Sequence, residues 1–190
     1  DQRSTLTGLT LEYAGGNGRG GLYLAQSSPT ITRSIIRFHE NHGVYVDTGA
    51  APTVTESALS DNLADGLFVA PRGTLGGAFT RNTAARNGRY PATLPASQAH
   101  QLDATSAFTG NRTDRVALTG DAVARSVAWQ RLDADYLVSG AVTVAAIAGA
   151  TLTVRDGVRA HFASGASLSA GGANPGALVV EGSSVGVVFT

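Results

Sequence analysis

Ser28–Val46 reads SPTITRSIIRFHENHGVYV, and Ala51–Val69 reads APTVTESALSDNLADGLFV. The second stretch repeats the first without a gap, 23 residues on. Pro29 matches Pro52, Thr30 matches Thr53, Thr32 matches Thr55, Ser34 matches Ser57, Gly43 matches Gly66 and Val46 matches Val69. Where letters differ, their character holds: Ile31 with Val54, Ile36 with Leu59, Val44 with Leu67, Tyr45 with Phe68. Upstream, LTGLTLEY (Leu6–Tyr13) aligns with Ile31–Phe38, and GLYL (Gly21–Leu24) with Gly43–Val46. The AGGNGRG between them is three residues longer than HENH, as a turn that bulges outward would be. TLGGAFTRNTAARNGRYP (Thr74–Pro91) reads as a fourth, eroded copy.

A unit of 22 to 25 residues with alternating segments and turn residues cannot bury its own apolar face. It must stack on its neighbours, so the copies read as coils of a solenoid. Ile31, Ile36, Val44 and Val46 are expected inside, above Val54, Leu59, Leu67 and Val69, with coils about 4.8 Å apart. The fold class is all-β, a parallel β-helix.

The pattern SPTITRS, then isoleucine, asparagine and GVYV, resembles the coil repeat of right-handed parallel β-helix proteins of the pectate-lyase-like class. The second half resembles a recurring part of large bacterial surface proteins with such repeats. There DYLVSGAVTVAAIAGATLTVRDGVRAHFASGASLSA (Asp135–Ala170) and GALVVEGSSVGVVFT (Gly176–Thr190) look like strands that begin a further stack. NGRYPATL and FTGNRTDRVALTG look like the join before it. The implied organisation is coils over residues 1–91, a join over 92–136 and a further stack over 137–190. The resemblance implies a secreted or cell-surface location. It leaves activity open, because the fold hosts lyases, hydrolases, epimerases, adhesins and spacers. On this pattern the chain starts and stops mid-solenoid, which suggests a fragment of a longer array or a unit that stacks head to tail.

Composition agrees with many short strands and tight turns. Gly is abundant at 24 residues, charged residues make up 15%, and formal net charge is zero. All 14 basic residues are arginine, with no patch that would mark a nucleic-acid partner. Cysteine is absent, which excludes disulfides, thiolate metal sites and thiol nucleophiles. The longest weakly polar run, GAVTVAAIAGATLTV (Gly140–Val154), alternates as strands do, so no membrane insertion is expected. The chain opens on DQRST without a methionine, consistent with a removed signal peptide or an excerpt. SQAHQLDATSAF (Ser97–Phe108) looks amphipathic but keeps no helical period.

Candidate chemistry is sparse. Tyr23, Tyr45, Phe68 and Tyr90 are expected at one position of four consecutive coils, facing outward because their neighbours claim the interior. Such a column either stacks on sugar rings or forms a ladder that shields one side of the solenoid. Asp47 and Asp65 join it as carbohydrate-binding candidates. Glycoside hydrolysis needs two facing carboxylates, and a lyase would need a carboxylate cluster with a basic residue such as Arg72. Asp61 and Asp65 share one turn and His42 lies near Asp47, yet no catalytic motif is written, so no catalytic residue is assigned. His39 and His42 read as solvated turn residues, and neither a metal site nor a cofactor is expected. TLT (Thr5–Thr7), TIT (Thr30–Thr32) and TVT (Thr53–Thr55) stack as a short threonine array of the kind ice-binding solenoids use. Trp129 is expected to pack against the start of the second stack.

The sequence therefore points to a structural or adhesive module that pairs with itself or with neighbouring domains. A carbohydrate-binding or polysaccharide-degrading domain is the alternative, and ice binding a minor one.

Overall fold

The computed structural model describes residues 4–16 and 18–190. The chain is a parallel β-solenoid of about 7 turns with almost no helix. The first coil contributes β1 (Thr5–Thr7), β2 (Thr10–Glu12) and β3 (Gly20–Leu24). The second contributes β4 (Thr30–Thr32), β5 (Ile35–Arg37) and β6 (His42–Val46), the third β7 (Thr53–Thr55), β8 (Ala58–Ser60) and β9 (Leu67–Val69). Next come β10 (Thr83–Ala85), β11 (Ala92–Pro95), a 3₁₀ helix at Ala96–Gln101 and β12 (Arg115–Thr119). The later coils contribute β13 (Ala122–Val123), β14 (Val127–Trp129), β15 (Asp135–Val138), β16 (Ala141–Val144), β17 (Thr151–Val154) and β18 (Arg159–Phe162). The last is β19 (Ser167–Ala170), β20 (Ala177–Val180) and β21 (Val188–Phe189).

Five parallel sheets result. One runs β3-β6-β9-β11-β12-β15-β18-β21 through both halves of the chain. Its eight strands span about 34 Å at ordinary strand spacing. In the first half the remaining sides are β1-β4-β7 and β2-β5-β8-β10; in the second they are β13-β16-β19 and β14-β17-β20.

The register follows the repeat. Leu6 pairs with Ile31 and Ile31 with Val54, while Leu11, Ile36 and Leu59 form a second inward row. Leu22, Val44 and Leu67 form a third, and Leu24, Val46 and Val69 a fourth. From Ile31 to Val69 each of these inward side chains is at most 1% exposed. Alternation along a strand alone dictates this, since a slip by one residue would turn every apolar side chain to water. Later, larger groups take over: Phe79 and Phe108 lie 5.9 Å apart between ring centres, Trp129 and Tyr136 5.7 Å. Trp129 is fully buried, and its Nε1–H donates to the Ala96 carbonyl of the 3₁₀ helix.

Solenoid corners break the β ladder and leave backbone N–H groups to be satisfied otherwise. In the first four coils two of the three corners are turned by a residue in the left-handed region: Gly8, Arg33, Glu56 and Arg81 at one, Tyr13, Phe38, Asp61 and Arg86 at the other. Non-glycine residues cost about 1 to 2 kcal/mol each in that conformation. The residue that follows offsets part of this by hydrogen bonding between coils. At the first corner the N–H of Leu9 donates to Ser34 Oγ, that of Ser34 to Ser57 Oγ, that of Ser57 to Asn82 Oδ1 and that of Asn82 to Ser106 Oγ. At the second corner the N–H of Ala14 donates to His39 Nδ1, that of His39 to Asn62 Oδ1, that of Asn62 to Asn87 Oδ1 and that of Asn87 to Asn111 Oδ1. The asparagine amides then donate backwards to the carbonyls of Ile36, Leu59 and Ala84.

Candidate functional site

The outward face of the long sheet carries most of the residues singled out in the sequence. Tyr23 pairs with Tyr45 and Tyr45 with Phe68, as the repeat predicts. Ring centres are 5.7 Å and 4.9 Å apart, so Tyr45 has an aromatic neighbour on both sides along the axis. The free side of Tyr23 is covered by the Arg19 guanidinium, 4.2 Å from the ring centre. His42, in the coil of Tyr45, packs against the column 5.6 Å from Tyr45 and 4.5 Å from Phe68. Rings packed this way shield each other and the sheet beneath, and all three remain only half-exposed.

Tyr90 does not belong to the column. The partner of Phe68 is Thr93, because two residues beyond the 23-residue step are taken up before Thr80, which already bridges Thr55 25 residues back. Tyr90 falls opposite Asp65, its amide donating to Asp65 Oδ1 at 3.2 Å, with Arg89 over its ring. Beyond Phe68 the outward column continues as Thr93, Ala117, Leu137 and His161.

The two candidate carboxylates differ in kind. Asp47 sits at the surface beside the column and accepts the Tyr23 hydroxyl at 2.7 Å. That bond holds the Asp47 carboxyl below the usual carboxylate range and raises the Tyr23 hydroxyl, so both groups report the same interaction. Asp65 is 0% exposed. Its Oδ2 lies 3.3 Å from His42 Nδ1, but that nitrogen accepts the Asp65 backbone N–H and leaves Oδ2 without a hydrogen-bond partner. Arg89 Nε is 3.6 Å from the other carboxylate oxygen. Asp61, the other carboxylate of that turn, is held by the Arg86 guanidinium through two bonds of 2.7 and 2.8 Å. Asp61 and Asp65 are thus committed to different partners and do not face one another across a cleft.

The histidines correct the sequence expectation. His39 and His42 are buried, not solvated, because both stand on positions that face the stack. His39 occupies an asparagine rung of the second corner. His42 lies under the aromatic column. Elsewhere His161 Nε2 is 2.8 Å from Asp135 Oδ2 and its Nδ1 2.8 Å from Thr190 Oγ1, a relay on the outer face of the later coils.

The threonine rows pair as expected, Thr5–Thr30–Thr53 and Thr7–Thr32–Thr55. The second row goes on to Thr80 through a parallel bridge and to Thr105 through a 2.9 Å hydroxyl contact. In the first row the residue beside Thr80 is Ala78, so the double row ends after three coils.

The two corner ladders were not read from the sequence. Their signal was present as Ser34, Ser57, Asn82 and Ser106, and as His39, Asn62, Asn87 and Asn111, recurring at the coil spacing of 23 to 25 residues. A further signal is the glycine four residues after His39 and Asn62. A Cβ on Gly43 would lie 2.8 Å from Asn62 Nδ2, so the rung of one coil lies on the glycine of the coil before. Among the described residues no group of His, Asp and Glu could hold a metal ion, and no helix is long and apolar enough to cross a membrane. Comparison with protein-family models, with curated proteins and with solved structures finds no match.

Proposed function

We propose that this chain is a non-catalytic structural or adhesive β-solenoid module of an extracellular bacterial surface protein. One observation carries the reading: the buried polar side chains bond from coil to coil rather than converging on a cleft. Ser34, Ser57, Asn82, Asn62 and Asn87 each accept a backbone N–H of the preceding coil. Groups fixed this way stiffen a stack and are unavailable to a substrate. The assignment to a bacterial surface rests on the resemblance of the coil repeat. Linear pairing with a second copy is part of the same reading.

Sedimentation velocity over a concentration series, with negative-stain images, tests it. Elongated particles that lengthen with concentration are expected. Release of unsaturated or reducing-end products from a polysaccharide panel would overturn it.

A second reading, glycan retention on the aromatic column, is favoured by the pairing of Tyr23 with Asp47, which sets a carboxylate acceptor beside the rings. Tyr45→Ala should then abolish retention on an immobilised glycan while leaving the circular dichroism spectrum unchanged.

A further inference from the structure

The second corner ladder is built from asparagine except at its first rung, where His39 stands. Its Nδ1 does the work of an asparagine Oδ1, accepting the Ala14 N–H at 3.0 Å. A nitrogen that accepts carries no proton, so the neutral ring holds its hydrogen on Nε2. That atom is buried and has no hydrogen-bond partner. The ring fills the space above Gly21, where a Cβ would come within 2.2 Å of His39 Cδ2. Gly21 stands where Gly43 and Gly66 stand under the asparagine rungs, so the ring takes the place of a carboxamide directly on the backbone of the first coil.

We propose that His39 is an acid-operated latch that holds the first coil to the rest of the solenoid when neutral and releases it when protonated. Asparagine has no such second state. Protonation would place an N–H on Nδ1 directly against the Ala14 N–H, two donors 3.0 Å apart, and a positive charge at a site that is 0% exposed. Neither can be relieved while the first coil stays in place, since β2, β3 and Gly21 pack on the ring. Release uncovers the edges of β4, β5 and β6, the strands on which the first coil packs.

The charged groups around the ring do not remove the penalty. Glu12 on β2 is paired with Arg37 at 2.6 Å, and Asp61 on the following coil with Arg86 at 2.7 Å. Glu40 is the next residue along, His42 and Asp65 lie toward the long sheet, and Arg19 lies over Tyr23. Burial is the largest influence on the ring and holds it below the ordinary histidine value, against the pull of Glu12. The released coil then binds the proton more readily than the docked one. Docking is fully favoured above about pH 6.5 and weakens as pH falls below it, by up to about tenfold per unit until the folded ring titrates.

Hydrogen exchange of the whole chain between pH 7.5 and 5, corrected for intrinsic rates, reads this directly. Protection over residues 5–24 should fall on acidification while residues 53–69 keep theirs. His39→Asn, which restores the rung used by the other coils, should remove that pH dependence. Unchanged protection of the first coil in the parent, or the same acid step in the variant, would overturn the proposal. If His39→Asn leaves the first coil open at every pH, the ring is followed in the parent by NMR. Its titration should coincide with loss of protection and lie below that of a free histidine. Titration at the free-histidine value with the coil still protected would equally overturn it.

Discussion

The two halves of the solenoid share one sheet but solve the corner problem differently. In the first half a left-handed residue turns the chain, and a buried serine or asparagine from the next coil takes the free N–H. In the second half glycines such as Gly149, Gly157, Gly165 and Gly171 make the turns at positive φ, where they meet no Cβ penalty. Several backbone N–H groups go to carboxylates instead, while that of Thr151 goes to Ser126 Oγ. Asp121 accepts from Ser97, Asp133 from Phe108, and Asp156 from Ser183, Val185 and Gly186. The two corner ladders of the first half rely on neutral, enclosed amides and hydroxyls, the second half mainly on charges at or near the surface. The difference teaches that coil geometry requires only an acceptor at the corner. Which acceptor is used sets how the coil responds to its surroundings.

The largest expected effect breaks the joint between the halves. Trp129 packs on Tyr136 and reaches back to the helix at Ala96. Trp129→Ala should cost about 4 kcal/mol in urea denaturation. It should also split one transition into two, with the earlier step in the second half. Asn87→Ala comes next, because it removes an acceptor and a donor from the middle of the ladder and orphans the Asn62 N–H. About 2 to 3 kcal/mol is expected, read from the same denaturation curves, with a loss that does not vary between pH 5 and 8.

The third prediction sharpens the contrast by pH. The hydrogen bonds from Ser183, Val185 and Gly186 hold the Asp156 carboxyl far below its ordinary value. A depressed carboxylate stabilises the folded state above its unfolded pKa, near 3.9, and loses that contribution as pH falls. Exchange protection at Ser183–Gly186 should therefore collapse on acidification below about pH 4 while the Asn87 rung keeps its own. Asp156→Asn should flatten the response. The smallest effect concerns the surface. Glu56 and Arg81 form a 2.6 Å pair whose side chains are 40% and 62% exposed. Glu56→Gln should change stability by less than about 0.5 kcal/mol, and raised salt should erase even that.

Much of the first half was legible because apolar residues recur at a nearly constant interval. Ile31 over Val54 and Val44 over Leu67 follow from a 23-residue step and period-two alternation. The same logic misplaced Tyr90, since a turn can absorb two extra residues without disturbing the strands it joins. The later strands were visible as alternating segments, but their rows are unevenly spaced. Val116 to Tyr136 is 20 residues and Arg159 to Val188 is 29, so the repeat is hidden there. The ladders escaped because Ser, Asn and His are also ordinary turn residues. Only their spacing from coil to coil distinguishes a buried rung from a solvated turn. Burial of Asp65 was illegible for a related reason, since it depends on the residues of the adjoining coils and not on its own turn.

The long sheet has a mechanical consequence. Its hydrogen bonds run parallel to the solenoid axis, so a pull between the two ends loads one row of bonds at a time instead of shearing many together. Coils should peel singly at low force, each letting out about 80 Å of extended chain. Pushed or bent, the same stack is a stiff post. Stretched, it acts as a shock absorber whose travel is counted in coils.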